Sequence, residues 1–567
     1  MQCDVLVGNP PFLGSSFLRR ELGDNYTDAL FDNFGHRVPL GADLCCYWFE
    51  KARKLIQDKK CKRAGLLATQ GIRGGANREV LKRIKETGDI FFGRSDRKWI
   101  LDGAAVHISM VGFDDGTEQT KFLDGKPVGR INPNLTAQHD TTGAIALKQN
   151  AGLCLRASEK GGSFVLEDSE ATPFLGGANP HGKPNSDVVR PWMNSELLLR
   201  GSSGKWIVDF FGVTVEAQAA KYESPFQFLR ERVKAERQGN RDVRLSKFWW
   251  LHRRSAEDMR SATAGLNRFI VTPSVAKHRT FIWVAHPLLP DHQLYVFARS
   301  DDYFFGMLHS RFHEVWALAQ GTQLREKESG FRYTPTTCFE TFPFPFPDDL
   351  QPQKPAPVKP PPKLKKPPEP DRFYAENLAA KNYFMGKEEP PPYGSSSQRE
   401  EAHPSPSALA TPLSAPDHRA AVAAAAKELN DLRERWLNPP EWTVERILEF
   451  PGSADGPWSR FVVNPGQNGV GTVRYPRLEP RDADCAAKLK QRTLTNLYNE
   501  RPAWLDFVHK ALDVAVAAAY GWPADLTDEQ ILEKLLALNL ERAAEEAKAA
   551  KVKKPRTSRL KHADELI

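Results

Sequence analysis

Short apolar runs alternate with helix-like patterns over residues 1–116. The first run, Cys3–Gly8, is mostly apolar and β-branched, which predicts a buried strand, and two prolines end it abruptly. The apolar spacing then predicts a helix over 42–56, a strand over 63–69, a helix over 71–84 and strands over 89–93 and 105–114. This order of elements predicts an α/β unit.

The first strand leads directly into Asn9-Pro10-Pro11-Phe12, whose residue types suit a clamp for a planar amine. Ligands of open α/β sheets bind at the carboxyl ends of strands, where this tetrapeptide lies. The Asn9 side-chain carbonyl and the Pro10 backbone carbonyl can each accept a hydrogen bond from one amine, and the prolines fix the backbone so that both converge. Phe12 offers a face for stacking a base flipped out of its duplex.

The alternative interpretation of this tetrapeptide is a strand-to-loop turn, because Asn-Pro commonly initiates turns. A second copy, Asn438-Pro439-Pro440, gives an internal comparison. It follows a helical run and precedes Glu441 instead of an aromatic residue, so it is interpreted as a helix stop.

From residue 117 to 347 the pattern is that of an α+β domain. Asp124-Gly125 predicts a hairpin turn near its start. Further strands are predicted at 206–213, 269–275, 280–285 and 293–299. A basic, helix-like stretch lies between the first two of these strands and changes the charge pattern of the domain.

The last third of the chain divides into three parts. Residues 348–419 are dense in proline and predict an extended, disordered linker, with a proline-rich ligand for a partner domain as the alternative. Residues 420–550 predict an α-helical domain, whose first helix covers 418–438, and residues 551–567 form a basic tail.

Composition adds bounds on partner and compartment. The 567 residues suggest about two to four domains, and the net charge of +8 suits a polyanionic partner. The seven cysteines contain no C-x-x-C pair, so neither a disulfide framework nor a metal site is expected. No signal peptide or membrane span is evident, which makes the cytoplasm the expected location.

Longer phrases carry a resemblance to a known family. VGNPPFLG, DLCCYWFEKARKLI, RAGLLATQGIRGGANREVLKRI and DGAAVHISMVGFDDG are similar to the MmeI-like restriction–modification DNA methyltransferases, and NSDVVRPW and FRYTPTTCFETFPFP extend the resemblance to about residue 347. The resemblance implies part of a class I, Rossmann-like methyltransferase sheet, then an α+β target-recognition domain, the linker and an α-helical carboxyl-terminal region. It also implies adenine as target and S-adenosylmethionine as methyl donor.

The resemblance implies roles for individual residues. Asn9, Pro10, Pro11 and Phe12 match the catalytic motif. Asp43, Tyr47 and Phe49 fall on the helix that borders the donor and target pockets in this superfamily, with ordinary helix packing as the alternative. Trp99 and His107 could line the base pocket, although a core position is the better interpretation for His107.

The family's donor site is expected upstream of Asn9, where only eight residues precede the motif. The resemblance therefore predicts an amino-terminally truncated or split member that needs an upstream polypeptide carrying the donor-binding half and nuclease. Without that neighbour the first strand becomes an exposed sheet edge, which is a template for pairing with another chain.

Duplex DNA is the partner that the resemblance implies, and it changes the interpretation of the basic residues. A charge run is usually a solvated face, but in a DNA-handling chain phosphate contact is favoured. The candidates for DNA contact are Arg230, Arg232, Lys234, Arg237, Arg241, Lys277, Arg279, Arg325 and Arg332. The alternative functions are a DNA-binding remnant without activity and a protein or RNA methyltransferase.

Overall fold

The computed structural model describes residues 3–101, 104–137, 140–201, 204–240, 242–323, 330–346 and 415–552. The chain divides into two compact units, and the described residues of the first end at 140 and those of the second begin at 141. Residues 348–414 of the predicted linker and 553–567 of the predicted basic tail lie outside the described residues. The prediction of a linker up to residue 419 is wrong at its end, because a helix begins at Ala415.

The first unit is an α/β unit, as predicted. Its helices and strands are β1 Cys3–Gly8, α1 Leu18–Leu22, α2 Asp24–Phe34, α3 Cys45–Gln57, β2 Cys61–Thr69, α4 Gly75–Thr87, β3 Asp89–Leu101, β4 Ala104–Asp114, β5 Lys121–Leu123 and β6 Lys126–Val128. Helix α4 begins later than the predicted residue 71, because Gln70–Arg73 first form a 3-10 helix.

These six strands form one mixed sheet in the order β1-β2-β4-β3-β5-β6. Strand β1 is parallel to β2, with Leu6 opposite Ala64. Strand β4 lies antiparallel between β2 and β3, so β3 runs in the same direction as β1 and β2. The carboxyl ends of β1, β2 and β3 therefore lie at one edge of the sheet, where ligands of such sheets bind.

The predicted hairpin at Asp124-Gly125 is present, but it belongs to this sheet. Both turn residues have positive φ angles of 52° and 84°, and β5 pairs with β3 at Phe92 and Gly93. The boundary predicted at residue 117 is therefore too early, because hydrogen bonding to β3 continues the sheet through Val128.

Helix α3 is amphipathic and buries one face against the sheet. Phe49 is fully buried, and its ring stacks on that of Phe113 from β4, with ring centroids 6.0 Å apart. On the same helix the buried Glu50 carboxylate accepts hydrogen bonds from Arg53 at 2.7 and 2.8 Å. Pairing satisfies the charge that burial would otherwise penalise.

Strand β1 is an edge strand whose sole partner among the described strands is β2. Its side chains alternate, and Leu6 packs partly into the core of the unit. Val5 and Val7, on the opposite face, are 53% and 78% exposed. An apolar, β-branched strand with one open edge and one bare face is a template for further pairing. The prediction of a buried strand is wrong for β1, because no described element covers this face.

The second unit begins with a mixed region that matches the predicted α+β pattern. Its elements before residue 346 are β7 Cys154–Arg156, β8 Val165–Glu167, α5 Asp168–Gly176, β9 Val189–Met193, α6 Ser195–Arg200, β10 Lys205–Val208, α7 Glu216–Ala219, α8 Glu223–Arg232, α9 Lys234–Arg237, α10 Val243–Lys247, α11 Glu257–Thr263, β11 Phe269–Pro273, β12 Val275–Ala276, β13 Ile282–Val284, β14 Leu289–Pro290, β15 Leu294–Phe297, α12 Asp302–His309, α13 Arg311–Gln320, β16 Thr322–Gln323 and β17 Phe331–Arg332. They form sheets in the orders β14-β9-β10-β8, β13-β11-β15-β7 and β12-β17-β16.

The chain resumes at residue 415 within the same unit. The elements from there are α14 Ala415–Leu437, β18 Thr443–Ser453, β19 Val462–Val463, β20 Val470–Pro480, α15 Ala483–Leu489, α16 Leu494–Glu500, α17 Ala503–Tyr520 and α18 Asp528–Val552. The prediction of a wholly helical region over 420–550 is wrong, because β18, β20 and β19 form an antiparallel sheet between the helices. None of the helices that the structure describes has the length and apolar composition needed to cross a bilayer.

The carboxyl-terminal helices share one hydrophobic core with the region before residue 346. Helix α12 crosses α14 at Gly306, where a Cβ atom would lie 2.8 Å from the Cβ of Ala426 and 3.0 Å from Val422. Only glycine permits this approach. Trp316 of α13 is fully buried in the same core. The two stretches therefore fold as one unit and not as separate domains.

Candidate active site and nucleic-acid interface

The Asn9–Phe12 tetrapeptide lies at the carboxyl end of β1, where the strand stops at Gly8. Asn9 and Pro11 are exposed, Pro10 is buried, and the Phe12 ring packs partly against the core of the first unit. The loop thus combines a fixed backbone with an accessible amide. This placement suits an acceptor for an incoming amine.

Asp43, just before α3, contacts the far end of the same loop. Its Oδ1 accepts a hydrogen bond from the Ser15 backbone N–H at 3.0 Å, and its Oδ2 accepts one from Asn77 Nδ2 at 2.8 Å. The Asp43 backbone N–H donates to Asn77 Oδ1 at 2.7 Å. Asp43 therefore lies at the ligand-binding edge of the sheet and links this loop to the beginning of α4. Sequence reasoning missed Ser15 and Asn77.

Tyr47 and Phe49 lie in the interior instead of lining an open pocket. The Tyr47 ring meets Phe34 edge-on at 5.3 Å and is 2% exposed. Burial raises the pKa of its phenol to about 12. The position of both rings fits the alternative of helix packing, so their predicted contact with the donor is not supported by this geometry.

Trp99 and His107 lie toward the same edge of the sheet as Asn9, since Trp99 is near the carboxyl end of β3 and His107 is near the start of β4. Trp99 is 42% exposed. The His107 Nδ1 atom is 2.5 Å from the Asp96 carboxylate. Trp99 is thus accessible to a ligand, whereas His107 has a partner within the sheet.

Three predicted DNA-contacting residues lie at the surface of α8 and α9. Arg230 is exposed, Arg232 is exposed and pairs with Glu170 at 2.7 Å, and Lys234 is half-buried 3.5 Å from Glu216. Elsewhere in the second unit, Lys277 is exposed and donates to Asn499 Oδ1 at 2.7 Å. Arg241 and Arg325 lie outside the described residues.

The structure contradicts the prediction for Arg237, which is 2% exposed. Its guanidinium donates to the backbone carbonyls of Leu251 at 2.7 Å, Lys160 at 2.8 Å, Gly161 at 3.0 Å and Trp249 at 3.1 Å. Burial lowers the pKa of this guanidinium to about 10. Arg237 holds loop carbonyls together and is not accessible to a phosphate.

Arg279 is buried as well and donates to the Phe331 carbonyl at 2.9 Å and to Thr272 Oγ1 at 3.1 Å. Burial lowers the pKa of its guanidinium to about 10. The prediction of DNA contact is therefore wrong for Arg279 too. Arg332 is half-buried on β17, and the adjacent Tyr333 is buried with its hydroxyl 3.0 Å from His313 Nε2.

Both units match family models. Residues 3–124 match the model described as the DNA-methyltransferase domain of MmeI, and residues 156–346 match the model described as the MmeI target recognition domain. The chain belongs to the MmeI family. The first match includes β5, which supports a domain boundary later than residue 117.

The relatives of this MmeI-family chain include a curated protein, DNA methyltransferase A of Bacillus subtilis (strain 168). It is 24% identical over an alignment of 362 positions, which covers 60% of this chain and 39% of that protein. Among solved structures, the type IIL restriction-modification enzyme MmeI in complex with DNA matches with a TM-score of 0.60 at 16% identity. That match covers 96% of this chain and 57% of the MmeI chain, and it supports the fold.

The family implies S-adenosylmethionine as methyl donor, and the exposed Asn9 and the adjoining Phe12 fit the target side of such a site. Asn9 is exposed, but the adjoining edge of β1 and the face that bears Val5 and Val7 are uncovered by the described residues. Of the side chains predicted to contact the donor, Asp43 is hydrogen-bonded within the fold, and the Tyr47 ring is packed in the interior with its hydroxyl buried. This geometry therefore does not support the predicted donor contacts.

Proposed function

We propose that this chain provides the target-binding and sequence-recognising parts of a restriction–modification DNA methyltransferase specific for adenine. The observation that supports the proposal most strongly is the exposed Asn9 at the carboxyl end of β1, next to the buried Pro10. The matched DNA-methyltransferase and target recognition domains support DNA as substrate.

The chain's own residues would act on the flipped adenine. The Asn9 side-chain carbonyl and the Pro10 carbonyl accept the two amine hydrogens, which directs the nitrogen lone pair out of the ring plane. Phe12 stacks on the base. These groups position the amine for S-adenosylmethionine, whose binding the proposal assigns to residues beyond those described.

The open edge of β1 favours a donor-binding segment that supplies an adjacent strand and covers Val5 and Val7. That segment can belong to the same polypeptide or to a second one. The alternative function, a DNA-binding module without methyl transfer, would need no such segment.

We expect no methylation of duplex DNA by residues 1–567 alone, and turnover once the unmatched part of an MmeI-family relative is added. Incorporation of a labelled methyl group from S-adenosylmethionine measures both. Robust turnover by the chain alone would refute the need for a donor-binding segment. If neither the chain alone nor the chain with the added segment methylates DNA, but specific DNA binding persists, the chain is a DNA-binding module without methyl transfer.

Arg230→Ala is expected to weaken DNA binding. It should also make the negative slope of log Kobs against log salt concentration less steep by about 1, because one phosphate contact releases about one counterion. Fluorescence anisotropy at several salt concentrations measures the slope. Lys427→Ala, at an exposed lysine paired with Asp431, is the matched control. An unchanged slope for Arg230→Ala would remove this residue from the DNA interface.

A further inference from the structure

The Asp43 carboxylate lies where three segments of the first unit meet. One oxygen accepts from the Ser15 backbone N–H, at the end of the loop that contains Asn9, and the other accepts from the Asn77 side chain on α4. The backbone N–H of Asp43 donates to the same Asn77 side chain. These three hydrogen bonds are 2.7–3.0 Å long, well within the normal range.

A backbone hydrogen bond reinforces this connection. The Leu44 N–H, one residue after Asp43, donates at 2.9 Å to the carbonyl of Leu13, two residues before Ser15. Two nearby positions of the loop, Leu13 and Ser15, are therefore attached to the segment that leads into α3. At its other end the loop is fixed by β1 and by the buried Pro10.

The surroundings leave little space around the Asp43–Asn77 pair. Asn77 is 9% exposed. A Cβ atom at Gly71 would lie 3.4 Å from Asn77 Nδ2 and 3.8 Å from Asp43 Oδ2, and one at Gly14 would lie 3.7 Å from Asp43 Oδ1. Backbone from the end of β2 and from the Asn9 loop thus approaches the pair closely. Asn77 therefore lies in a packed junction, and Asp43 is half-buried beside it.

We propose that Asp43 and Asn77 are positioning residues that fix the path of the loop from Asn9 to Ser15. This inference rests on the proposed function and replaces donor contact as the role of Asp43. Carboxylate hydrogen bonds to backbone N–H groups are stronger than neutral ones. Because displacements of about 1 Å can lower a rate about 10²-fold, the pair controls methyl transfer without touching the substrate.

The donor and acceptor pattern of the pair permits a specific test. In Asp43→Asn the new amide N–H groups face the N–H groups of Asn77 or Ser15, so one hydrogen bond is lost. In Asn77→Asp two carboxylates face each other. The double variant Asp43→Asn/Asn77→Asp restores all three bonds, because the amide at 43 donates to the carboxylate at 77 and its oxygen accepts from Ser15.

The first measurement is hydrogen exchange of peptides covering residues 9–17 in the full chain, which needs no activity. Each single variant is expected to exchange about tenfold faster there, since a hydrogen bond to a charged group contributes about that factor or more. The double variant should return to within about threefold of the original chain. Asp58→Asn, an exposed carboxylate paired with Lys54 on α3, is the matched control.

The second measurement is methylation with the added donor-binding segment. Each single variant should lower kcat about tenfold or more with little change in KM for S-adenosylmethionine, and the double variant should restore kcat. A raised donor KM with unchanged kcat would assign Asp43 to the donor site and overturn the proposal. Unchanged exchange in the single variants, or no rescue in a stable double variant, would also overturn it.

The two measurements separate this inference from the proposed function. If exchange follows the expected pattern but no mixture methylates DNA, the methyltransferase function fails and the role of the pair in positioning the loop stands. If methylation occurs and the single variants leave both exchange and kcat unchanged, the function stands and the positioning role fails.

Discussion

Asn9→Ala is expected to lower kcat for DNA methylation by about 10²–10³-fold, the usual cost of removing one well-placed hydrogen-bonding group from a catalytic site. The exposed Asn9 amide follows β1 at a point where the buried Pro10 fixes the backbone. Alanine keeps the backbone but removes one of the two acceptors for the amine. The amine lone pair is then no longer directed out of the ring plane, whereas the DNA contacts proposed for the second unit are unchanged.

Methylation kinetics with the added donor-binding segment, together with DNA affinity by anisotropy, measure this effect. Affinity should change less than about twofold. Asn33→Ala provides the control, because Asn33 is an exposed amide on α2 whose Nδ2 donates to the Ala29 carbonyl. Equal methylation by Asn9→Ala and the original chain would remove the tetrapeptide from the mechanism. A parallel loss of DNA affinity would instead indicate a binding role.

Asp209→Ala is expected to destabilise the second unit by about 3–5 kcal/mol, because it leaves buried cations without a counter-ion. Asp209 is 5% exposed, and its carboxylate accepts from Arg260 at 2.8 and 3.1 Å and from Arg190 at 3.1 Å. Burial alone would raise the pKa of this carboxyl, but Arg260, His252 and Arg190 outweigh burial and hold it far below the ordinary value.

Urea unfolding followed by tryptophan fluorescence measures the loss, because all tryptophans except Trp48 and Trp99 lie in the second unit. Asp258→Ala, at an exposed carboxylate on α11, should change stability by less than about 0.5 kcal/mol. The depressed pKa of Asp209 means that its contribution is present above the ordinary carboxyl pKa of ~3.9 and decreases as pH falls further. A loss below about 1 kcal/mol would contradict the ion-network argument.

The sequence predicted the first unit well because its signals are local. An apolar run ended by Pro10 and Pro11 defines β1 within a few residues, and the apolar face of α3 follows from helical spacing. The sheet order was not predicted, since the insertion of β4 between β2 and β3 is a non-local pairing. The turn at Asp124 was predicted correctly, but the sequence did not indicate that its two strands belong to the sheet of the first unit.

The sheet of β18–β20 was missed because its pattern is weak. Strands β18 and β20 pair over eleven residues each, yet the solvent-facing positions alternate charges with apolar residues such as Ile447 and Leu478. Asn468-Gly469 is a turn signal in the connection between them that could have revealed the sheet. Helical sequences on both sides favoured a helical interpretation of the whole region.

Charge alone could not separate surface arginines from structural ones. Arg230 and Arg237 belong to one basic run, but the first is exposed and the second is surrounded by four backbone carbonyls. The tertiary structure decides which loop carbonyls need a hydrogen-bond donor, and the spacing of residues in the sequence does not reveal it. The partner of Asp43 was hidden for the same reason, because Asn77 is 34 residues away.

The core shared by residues before 346 and after 415 has a consequence for how such chains can vary. The connection between the two stretches closes a loop whose ends are already held by packing around Gly306 and Trp316. Insertions, deletions or even a backbone break between 347 and 414 can therefore accumulate while the recognition region and its helices remain one folded body.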